Sequence, residues 1–245
     1  MTAHLKSLAD VVAAKLRGAR RAAALTGAGV SAESGLATFR SGPRALWRDH
    51  RPEDLATPQA FARDPKLVWE WYRERLQRAA GVQPNPGHYA LAAMAQRVAR
   101  FTVVTQNVDG LHERAGSPDV IELHGNVRRA RCVRCDARVP APLEGALPPT
   151  CACGAMLRPD IVWFGEALPE GVFETAYEAV AGADVFIVAG TSAVVHPAAG
   201  LVEVAKSAGG FIVEVNPEET PATGLCDVCV RAPSGTFLPS VVERI

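Results

Sequence analysis

Two closely spaced cysteine pairs, Cys132 with Cys135 and Cys151 with Cys153, stand out first in the sequence. Residues 136–150 separate the pairs. This spacing is typical of a zinc ribbon, in which four thiolates close a tetrahedral site. Because four protein ligands leave no position for water or substrate, we predict one structural zinc ion without a catalytic role. Buried free cysteines are the alternative.

A third pair, Cys226 and Cys229, follows near the end of the chain, with no further pair to complete a four-cysteine site. Residues three apart on a strand point to opposite faces. We therefore expect both cysteines to be structural, with a metal or redox role as the alternative.

A glycine loop, Gly27-Ala28-Gly29, comes directly after a short apolar run at residues 20–26. Glycines at the end of a strand let the backbone approach a pyrophosphate closely, and a following helix N-terminus offers free N–H groups. The complete G-x-G-x-x-G pattern is missing, because position 32 is alanine. The loop predicts nucleotide binding, with a simple tight turn as the alternative.

Short apolar runs alternate with helical stretches along most of the chain. We predict strands at residues 20–26, 101–105, 184–189 and 211–215, and helices at residues 5–16, 88–100, 173–181 and 197–208. Such apolar runs are typical of parallel strands that are covered on both faces. The alternation predicts an α/β fold with a Rossmann-like, doubly wound parallel sheet.

Two stretches interrupt this alternation and indicate inserted modules. Residues 41–81 are rich in Trp, Arg and Glu, and residues 128–159 carry four cysteines and several prolines. We predict one catalytic domain over residues 1–245. Its large Rossmann-like part comprises residues 1–40, 87–127 and 160–245, and its small part comprises a helical insert, 41–86, and a zinc module, 128–159.

The overall charge and hydropathy exclude several classes of protein. The formal net charge is +0, which argues against direct nucleic-acid binding. No apolar run approaches the ~20 residues of a membrane span, and charged residues interrupt the N-terminal stretch, which argues against a signal peptide. Clustered cysteines fit metal binding in a reducing compartment. We expect a cytoplasmic protein without membrane contact, and a monomer.

The longer string GAGVSAESGLATFR, residues 27–40, resembles the cofactor loop of the sirtuins. Further sirtuin motifs follow in the family's order and cover nearly the whole chain: TQNVD at 105–109 with Leu111-His112, LHG at 123–125, VWFGE at 162–166, GTS at 190–192 and Val215-Asn216. The resemblance implies NAD as cosubstrate, a Rossmann-like domain with a zinc-ribbon and helical small domain, and acylated-lysine proteins as substrates.

The resemblance also implies a reaction and a catalytic set. The acyl oxygen of the lysine amide attacks C1′ of the nicotinamide ribose and nicotinamide departs. His124 then acts as general base on a ribose hydroxyl, for which a near-neutral pKa is suitable. Gln106 contacts the ribose hydroxyls, and Asn107 and Asp109 line the nicotinamide pocket. The products are lysine, nicotinamide and 2′-O-acyl-ADP-ribose. A structural histidine and a polar loop that caps a strand are the alternatives.

The NAD-binding residues implied by the resemblance come from several loops. They are Gly27, Ala28, Gly29, Ser31, Phe39, Arg40, Trp47, Gln106, Asn107, Val108, Asp109, Gly190, Thr191, Ser192, Asn216, Pro217, Glu218 and Ser234. Phe39 would shield the reactive ribose carbon from water, and Arg40 would contact the phosphates or order the loop. Ser192, Asn216 and Ser234 would contact the phosphates and adenosine.

Tyr72 and Arg75 indicate the acyl group. Residues three apart share a face of a helix, and a phenol beside a guanidinium can hold a carboxylate. In class III sirtuins this Tyr-x-x-Arg pair reads the carboxylate of succinyl, malonyl or glutaryl lysine. Thr38 is typical of the same branch, and the small Ala56 would leave space for a longer acyl group. A lid helix with solvated charges is the alternative.

Val162, Trp163 and Phe164 resemble the strand that pairs with an extended substrate peptide, with an exposed Trp-Phe-Gly segment. Pairing of this kind uses backbone hydrogen bonds and tolerates many sequences. We predict an NAD-dependent protein-lysine deacylase that transfers succinyl, malonyl and acetyl groups to ADP-ribose. Plain deacetylation, protein mono-ADP-ribosylation and a zinc-ribbon interaction module are the alternatives.

Overall fold

The computed structural model describes residues 2–38 and 51–245. Its strands are β1 (Arg21–Thr26), β2 (Arg100–Thr105), β3 (Val120–Glu122), β4 (Gly125–Cys132), β5 (Arg138–Pro140), β6 (Leu157–Ile161), β7 (Val185–Ala189), β8 (Phe211–Val215) and β9 (Val228–Val230). Six of them form one sheet in the order β3-β2-β1-β7-β8-β9. All neighbouring pairs in this sheet are parallel, which confirms the predicted fold class.

The described helices are α1 (Ala3–Gly18), α2 (Ala28–Ala32), α3 (Pro52–Leu55), α4 (Pro58–Arg63), α5 (Pro65–Gly81), α6 (Pro86–Met94), α7 (Leu111–Arg114), α8 (Val172–Ala181), α9 (Leu201–Ser207) and α10 (Ser234–Val242). Short 3₁₀ turns occupy Ala198–Gly200 and Thr223–Leu225. Among these described helices, none has the length and apolar character that crossing a bilayer requires.

Both faces of the parallel sheet are buried, as the unbroken apolar strands predict. In β1, Ala22 and Ala24 pack into a core with residues of α1, α6 and α10. Ala23 and Leu25 point the other way, into a core with residues of α8 and α9. The small alanines allow helices on both faces to approach this central strand closely.

The strand order reverses at the middle of the sheet. The chain runs outward from β1 to β2 and β3, then returns to place β7 on the other side of β1. At such a point the loops leave the carboxyl ends of adjacent strands in opposite directions and open a crevice for a ligand. Thr26 pairs in register with Ala189 at these ends. The two loops that begin at Gly27 and Gly190 therefore lie side by side.

A second, antiparallel sheet has the order β5-β4-β6. It shares a buried core with the helices α3 to α5. Trp69 of α5 is in this core, and its indole N–H donates to the main-chain oxygen of Leu157 in β6 at 2.7 Å. The helical insert and the cysteine-rich segment therefore pack against each other, and the sheet extends beyond residues 128–159 at both ends.

One predicted helix is too long. Residues 88–100 were expected to be helical, but α6 ends at Met94 and β2 begins at Arg100. The N–H groups of Gln96 and Arg97 donate to Ala93 and Met94, three residues back, at 3.2 and 3.0 Å. This tighter turning closes the helix and brings the chain to the edge of the sheet.

Candidate functional site

A cleft of about 980 Å³ opens at the carboxyl ends of β1 and β7 and reaches the helix α5. Most residues that the sequence analysis selected line it: Gly27, Ala28, Gly29, Thr38, Ala56, Tyr72, Arg75, Gln106, Asn107, Val108, His124, Val162, Trp163, Phe164, Gly190, Thr191, Ser192, Asn216, Pro217, Glu218 and Ser234. Its volume lies at the upper end of the range for small-molecule sites. Its position, at the reversal of strand order, is where such sheets hold dinucleotides, so these residues fit NAD.

Three of the selected NAD-binding residues, Phe39, Arg40 and Trp47, lie outside the described residues. Two others, Ser31 and Asp109, are buried and do not themselves line the cleft. They lie behind the wall of the cleft, where Ser31 is hydrogen-bonded to the cleft residue Asn107 and to Asp109.

Glycine is required where the two central loops meet. The Gly29 N–H donates to the oxygen of Gly190 at 2.8 Å. A Cβ on Gly29 would lie 2.7 Å from that oxygen, and Gly190 has a φ of +57° with Val30 nitrogen 2.3 Å from the position of its own Cβ. Close approach to a pyrophosphate is one reason for glycine in this loop. Contact between the loops is a further reason, and it joins the ends of β1 and β7 into one wall.

A chain of hydrogen bonds supports Asn107 at the floor of the cleft. Its side-chain amide donates to the oxygen of Gly27 at 3.0 Å and to Ser31 Oγ at 3.2 Å. The Ser31 hydroxyl donates in turn to Asp109 Oδ2 at 2.7 Å. Burial raises the pKa of Asp109, against the hydrogen bonds from Leu111 and Ser31. The loops after β1 and β2 are thereby joined beneath the cleft.

Two buried histidines lie behind this floor with their rings 4.8 Å apart. No role was predicted for either of them from the sequence. His88 Nδ1 accepts the N–H of Asn85 at 3.2 Å, and His112 Nε2 lies 2.9 Å from Thr26 Oγ1. Burial lowers the pKa of His88 to about 4 and that of His112 to about 3. Both rings are therefore neutral at pH 7 and act as fixed polar supports.

His124 lines the cleft directly after β3, and a backbone contact fixes its tautomer. Nδ1 lies 3.1 Å from the main-chain oxygen of Gln106. Because a carbonyl oxygen only accepts, Nδ1 carries the hydrogen and Nε2 keeps its lone pair. Burial lowers the pKa of His124, partly offset by this hydrogen bond. The ring is then a neutral base at pH 7, with Nε2 as the nitrogen that can accept a proton.

The Gln106 side chain bridges the cleft wall. Its Nε2 donates to Thr191 Oγ1 at 2.9 Å, which connects the loop after β2 with the loop after β7. The same residue therefore orients His124 through its backbone and contacts the opposite loop through its amide.

The end of the cleft at α5 is formed by Ala56, Tyr72, Arg75 and Trp163. The Arg75 guanidinium stacks on the Trp71 ring at 3.6 Å, and its Nη1 donates to the Trp71 oxygen at 2.7 Å. Its buried Nε has no hydrogen-bond partner among the described residues. Burial lowers the pKa of Arg75 to about 10, so it remains a cation at pH 7.

Tyr72 and Arg75 lie on the same face of α5, as their spacing predicts. The Tyr72 ring is buried, and its oxygen accepts the indole N–H of Trp163 at 3.0 Å. Burial raises the pKa of Tyr72, so the phenol stays protonated. This end of the cleft therefore combines one cation with one neutral hydroxyl donor.

Residues 162–164 do not form the strand that the sequence predicts, because β6 ends at Ile161. Their N–H groups donate to three separate partners: the His124 oxygen at 3.0 Å, Glu166 Oε2 at 2.9 Å and the Ala56 oxygen at 2.9 Å. These three N–H groups are therefore already engaged within the protein. The expected exposed Trp-Phe-Gly is also only partly correct, since Trp163 is 3% exposed and Phe164 44%.

Some cleft residues escaped the sequence analysis. Glu33 lines the cleft and accepts hydrogen bonds from Ser234 Oγ at 3.1 Å and Gly235 nitrogen at 2.8 Å, which fastens the glycine loop to the start of α10. The Ser234 hydroxyl is thereby engaged by protein. Leu168, Phe173 and His196 also line the cleft. Leu168 and His196 lie in connecting segments, and Phe173 lies in the first turn of α8. None of them belongs to a spacing pattern that marks a site.

The four predicted zinc ligands come together. Their Sγ atoms all lie within 4.8 Å of one another, with Cys132 to Cys153 at 3.5 Å and Cys135 to Cys151 at 3.8 Å. A tetrahedron with Zn–S bonds of ~2.3 Å has S–S edges of about 3.8 Å, so the residues fit one structural zinc ion. The Arg134 and Cys135 N–H groups point at Cys132 Sγ and stabilise a thiolate there.

Cys226 and Cys229 lie apart from this cluster. Their thiols donate to the oxygens of Ala222 at 3.2 Å and Thr223 at 3.6 Å. Burial, with Glu214 nearby, raises the pKa of Cys226 to about 12 and also raises that of Cys229. Both sulfurs are therefore thiols at neutral pH, and these contacts support the predicted structural role.

Residues 27–197 of the chain match the model of the Sir2 family. The chain is 49% identical to NAD-dependent protein deacylase 2 of Pyrobaculum aerophilum over 237 residues, 96% of this chain and 94% of that protein. It is 52% identical to an NAD-dependent protein deacylase of Thermus thermophilus over 222 residues, 89% and 87% of the two chains. A crystal structure of a Sir2 homolog–NAD complex superposes with a TM-score of 0.89 and 47% identity, over 95% of this chain and 92% of the other.

Proposed function

Because the chain belongs to the Sir2 family, we propose that this NAD-dependent protein deacylase removes acidic acyl groups, succinyl and malonyl, from lysine side chains. The observation that supports the acidic preference is an excess of positive charge at the α5 end of the cleft, where one carboxylate, Glu74, pairs with both Arg75 and Arg78. Acetyl-lysine remains a substrate in this proposal, because the rest of the site does not depend on the acyl carboxylate.

The charge balance around Arg75 supports this preference. Its only carboxylate partner among the described residues is Glu74, at 3.2 Å. Glu74 pairs with Arg78 as well, through its other oxygen, so one carboxylate serves two guanidinium groups. The Arg75 side chain is 15% exposed, whereas that of Glu74 is 49% exposed. A second carboxylate, supplied by the acyl group, would therefore neutralise a buried charge.

The other walls fit the same ligand. Tyr72 remains protonated and can donate a hydrogen bond to a carboxylate, while Arg75 can add a charge-assisted one. Ala56 contributes a small side chain at this end of the cleft, which leaves room for an acyl chain longer than acetyl.

In the reaction, NAD supplies the electrophilic ribose carbon that receives the acyl oxygen, and nicotinamide as the leaving group. We assign Asn107, held by Gly27 and Ser31, to binding the nicotinamide amide. His124 accepts a ribose hydroxyl proton at Nε2, and Gln106 holds the ring through Nδ1. The loops at Gly27–Gly29, Gly190–Ser192 and Asn216–Glu218 would bind the phosphates and adenosine. Phe39, Arg40 and Trp47 stay assigned to the same cosubstrate from the sequence alone.

We propose that the substrate peptide runs along Val162, Trp163 and Phe164. The N–H groups of this segment are already bonded within the protein, so pairing with a peptide would use carbonyl oxygens instead. A cytoplasmic, monomeric protein that binds neither nucleic acid nor membranes remains the prediction from the sequence.

A mass-spectrometric assay with acetyl, malonyl and succinyl peptides, each with and without NAD, tests the proposal. We expect NAD-dependent loss of the acyl group, with succinyl or malonyl peptides consumed faster than the acetyl peptide and 2′-O-acyl-ADP-ribose as product. Faster consumption of the acetyl peptide would reduce the function to plain deacetylation. ADP-ribose attached to protein as the main product would replace deacylation by mono-ADP-ribosylation.

A further inference from the structure

We propose that Trp163 is a positioning residue for acyl specificity: its indole N–H occupies the Tyr72 oxygen and so directs the Tyr72 hydrogen toward the acyl carboxylate. This inference rests on the proposed acidic-acyl function. It adds a residue outside the Tyr-x-x-Arg pair, assigned by a hydrogen bond in the structure.

The hydrogen bond between Trp163 and Tyr72 has a fixed direction. An indole nitrogen only donates, so at 3.0 Å the Tyr72 oxygen must be the acceptor. The Tyr72 hydrogen is then available for a different partner. Among residues 2–38 and 51–245, the bond from Trp163 is the one hydrogen bond that the Tyr72 hydroxyl makes. Since Tyr72 lines the cleft, a ligand there can accept this hydrogen.

Trp163 itself is firmly held. The Arg158 guanidinium stacks on its ring at 3.5 Å. Arg158 also donates to both oxygens of Glu166, at 2.6 and 2.8 Å. Glu166 Oε2 accepts the main-chain N–H of Trp163 at 2.9 Å. Phe61 also packs against the indole, with 5.2 Å between ring centroids, and these contacts together hold its orientation.

Acetyl and acidic acyl groups should respond differently to the orientation of the Tyr72 hydrogen. An acetyl group has no acceptor at the position of a distal carboxylate, so the orientation of the Tyr72 hydrogen does not affect it. Arg75 is held by Trp71 and Glu74, without contact to Trp163 through a hydrogen bond or ion pair among the described residues. The part of the Trp163 effect that distinguishes an acidic acyl group from acetyl should therefore pass through Tyr72.

Trp163→Phe tests this inference, because phenylalanine keeps an aromatic ring over Arg158 and lacks the N–H donor. We expect the succinyl-peptide KM to rise roughly three- to tenfold, the size of effect for one oriented hydrogen bond, with kcat little changed. Because Trp163 also lines the proposed path of the peptide, the acetyl peptide is the reference, and the ratio of the succinyl KM to the acetyl KM should rise in this variant. In a Tyr72→Phe background, Trp163→Phe should add no further discrimination against succinyl.

A second variant guards against a packing artefact. Benzothienylalanine at position 163 has nearly the shape of tryptophan but carries sulfur in place of the N–H. It should reproduce the rise in the ratio of the succinyl KM to the acetyl KM, while the temperature of thermal unfolding stays near that of the unmodified protein.

Two outcomes overturn the inference while leaving the proposed function intact. One is a proportional loss on acetyl and succinyl peptides in both variants, which would mean a general packing role. The other is an additive effect of Trp163→Phe and Tyr72→Phe, which would mean that Trp163 acts independently of Tyr72. If instead the unmodified protein shows no preference for succinyl over acetyl, the proposed function itself fails, and this inference with it.

Discussion

The main-chain oxygen of Gln106 lies 3.1 Å from Nδ1 of His124. This contact places the hydrogen of the neutral imidazole on Nδ1, so Nε2 is the basic atom at the cleft. It also connects two predicted catalytic residues, of which Gln106 acts through its backbone as well as its side chain.

The pH dependence of the reaction follows from His124. Because burial lowers its pKa below the usual 6.5, the neutral base is present above that lowered value and is lost as the pH falls through it. We expect kcat/KM to rise with pH along an acidic limb centred below pH 6.5 and to be flat near neutrality. His124→Asn should remove this limb and lower kcat by about 10²–10⁴-fold. A limb unchanged in His124→Asn would assign the titration to another group.

Gly29→Ala should disturb the wall of the cleft. The added Cβ would lie 2.7 Å from the Gly190 oxygen, a backbone atom that cannot easily move away. We expect a loss of about 1–3 kcal/mol in unfolding free energy and a higher KM for NAD. Gly18→Ala is the matched control, because nothing lies within 4 Å of its Cβ position. Equal effects of the two changes on KM would argue against the loop contact.

Loss of the zinc ion should destabilise the buried core that the antiparallel sheet shares with α3 to α5. Cys132 and Cys151 belong to the same buried cluster as Trp69 and Trp163, so metal release loosens the helical insert as well. Cys132→Ser should bind less than one zinc per chain by elemental analysis and melt at a lower temperature. Cys229→Ser should keep one zinc, because Cys229 Sγ is engaged by the Thr223 oxygen instead. Equal zinc loss in both variants would contradict the four-cysteine assignment.

The buried histidines predict an acid-sensitive fold. The folded-state pKa values of about 4 for His88 and about 3 for His112 lie below the ordinary 6.5, so the unfolded chain binds more protons below pH 6.5. Stability is therefore complete above pH 6.5 and declines as the pH falls toward 4. At pH 5 each histidine should lower the free energy of unfolding by about 2 kcal/mol relative to pH 7.5. Urea unfolding at pH 7.5 and pH 5 measures this, and His88→Gln should reduce the difference by about half. Equal stability at the two pH values would refute it.

Local patterns explain which features were predictable. β1 is flanked by strands and covered by helices on both faces, so its apolar run is visible in the sequence. The cysteine pairs that begin at Cys132 and Cys151 are recognisable as zinc ligands from their short spacing in the sequence, without knowledge of the tertiary structure. The Tyr72–Arg75 face follows from helical spacing.

Features set by distant contacts were missed. Trp163 is stacked on by Arg158 and hydrogen-bonded to Glu166. No pattern in the sequence indicates that these residues pack together. Glu33 meets Ser234 across 201 positions of the chain, so neither residue indicates the other. The predicted helix extends past the end of α6, because residues 95–99 have a composition typical of helices although the chain turns there toward β2.

The ratio of kcat/KM for succinyl over acetyl peptide, measured in the unmodified protein and in Tyr72→Phe/Arg75→Met, tests the central claim most directly. The positive charge and the hydroxyl donor at the α5 end of the cleft predict a ratio above one. This ratio should fall by about 10–100-fold in the double variant, the effect of losing hydrogen bonds to a charged group. Acetyl-peptide activity should be retained. An unaltered ratio in the double variant would contradict an acidic-acyl function for Tyr72 and Arg75.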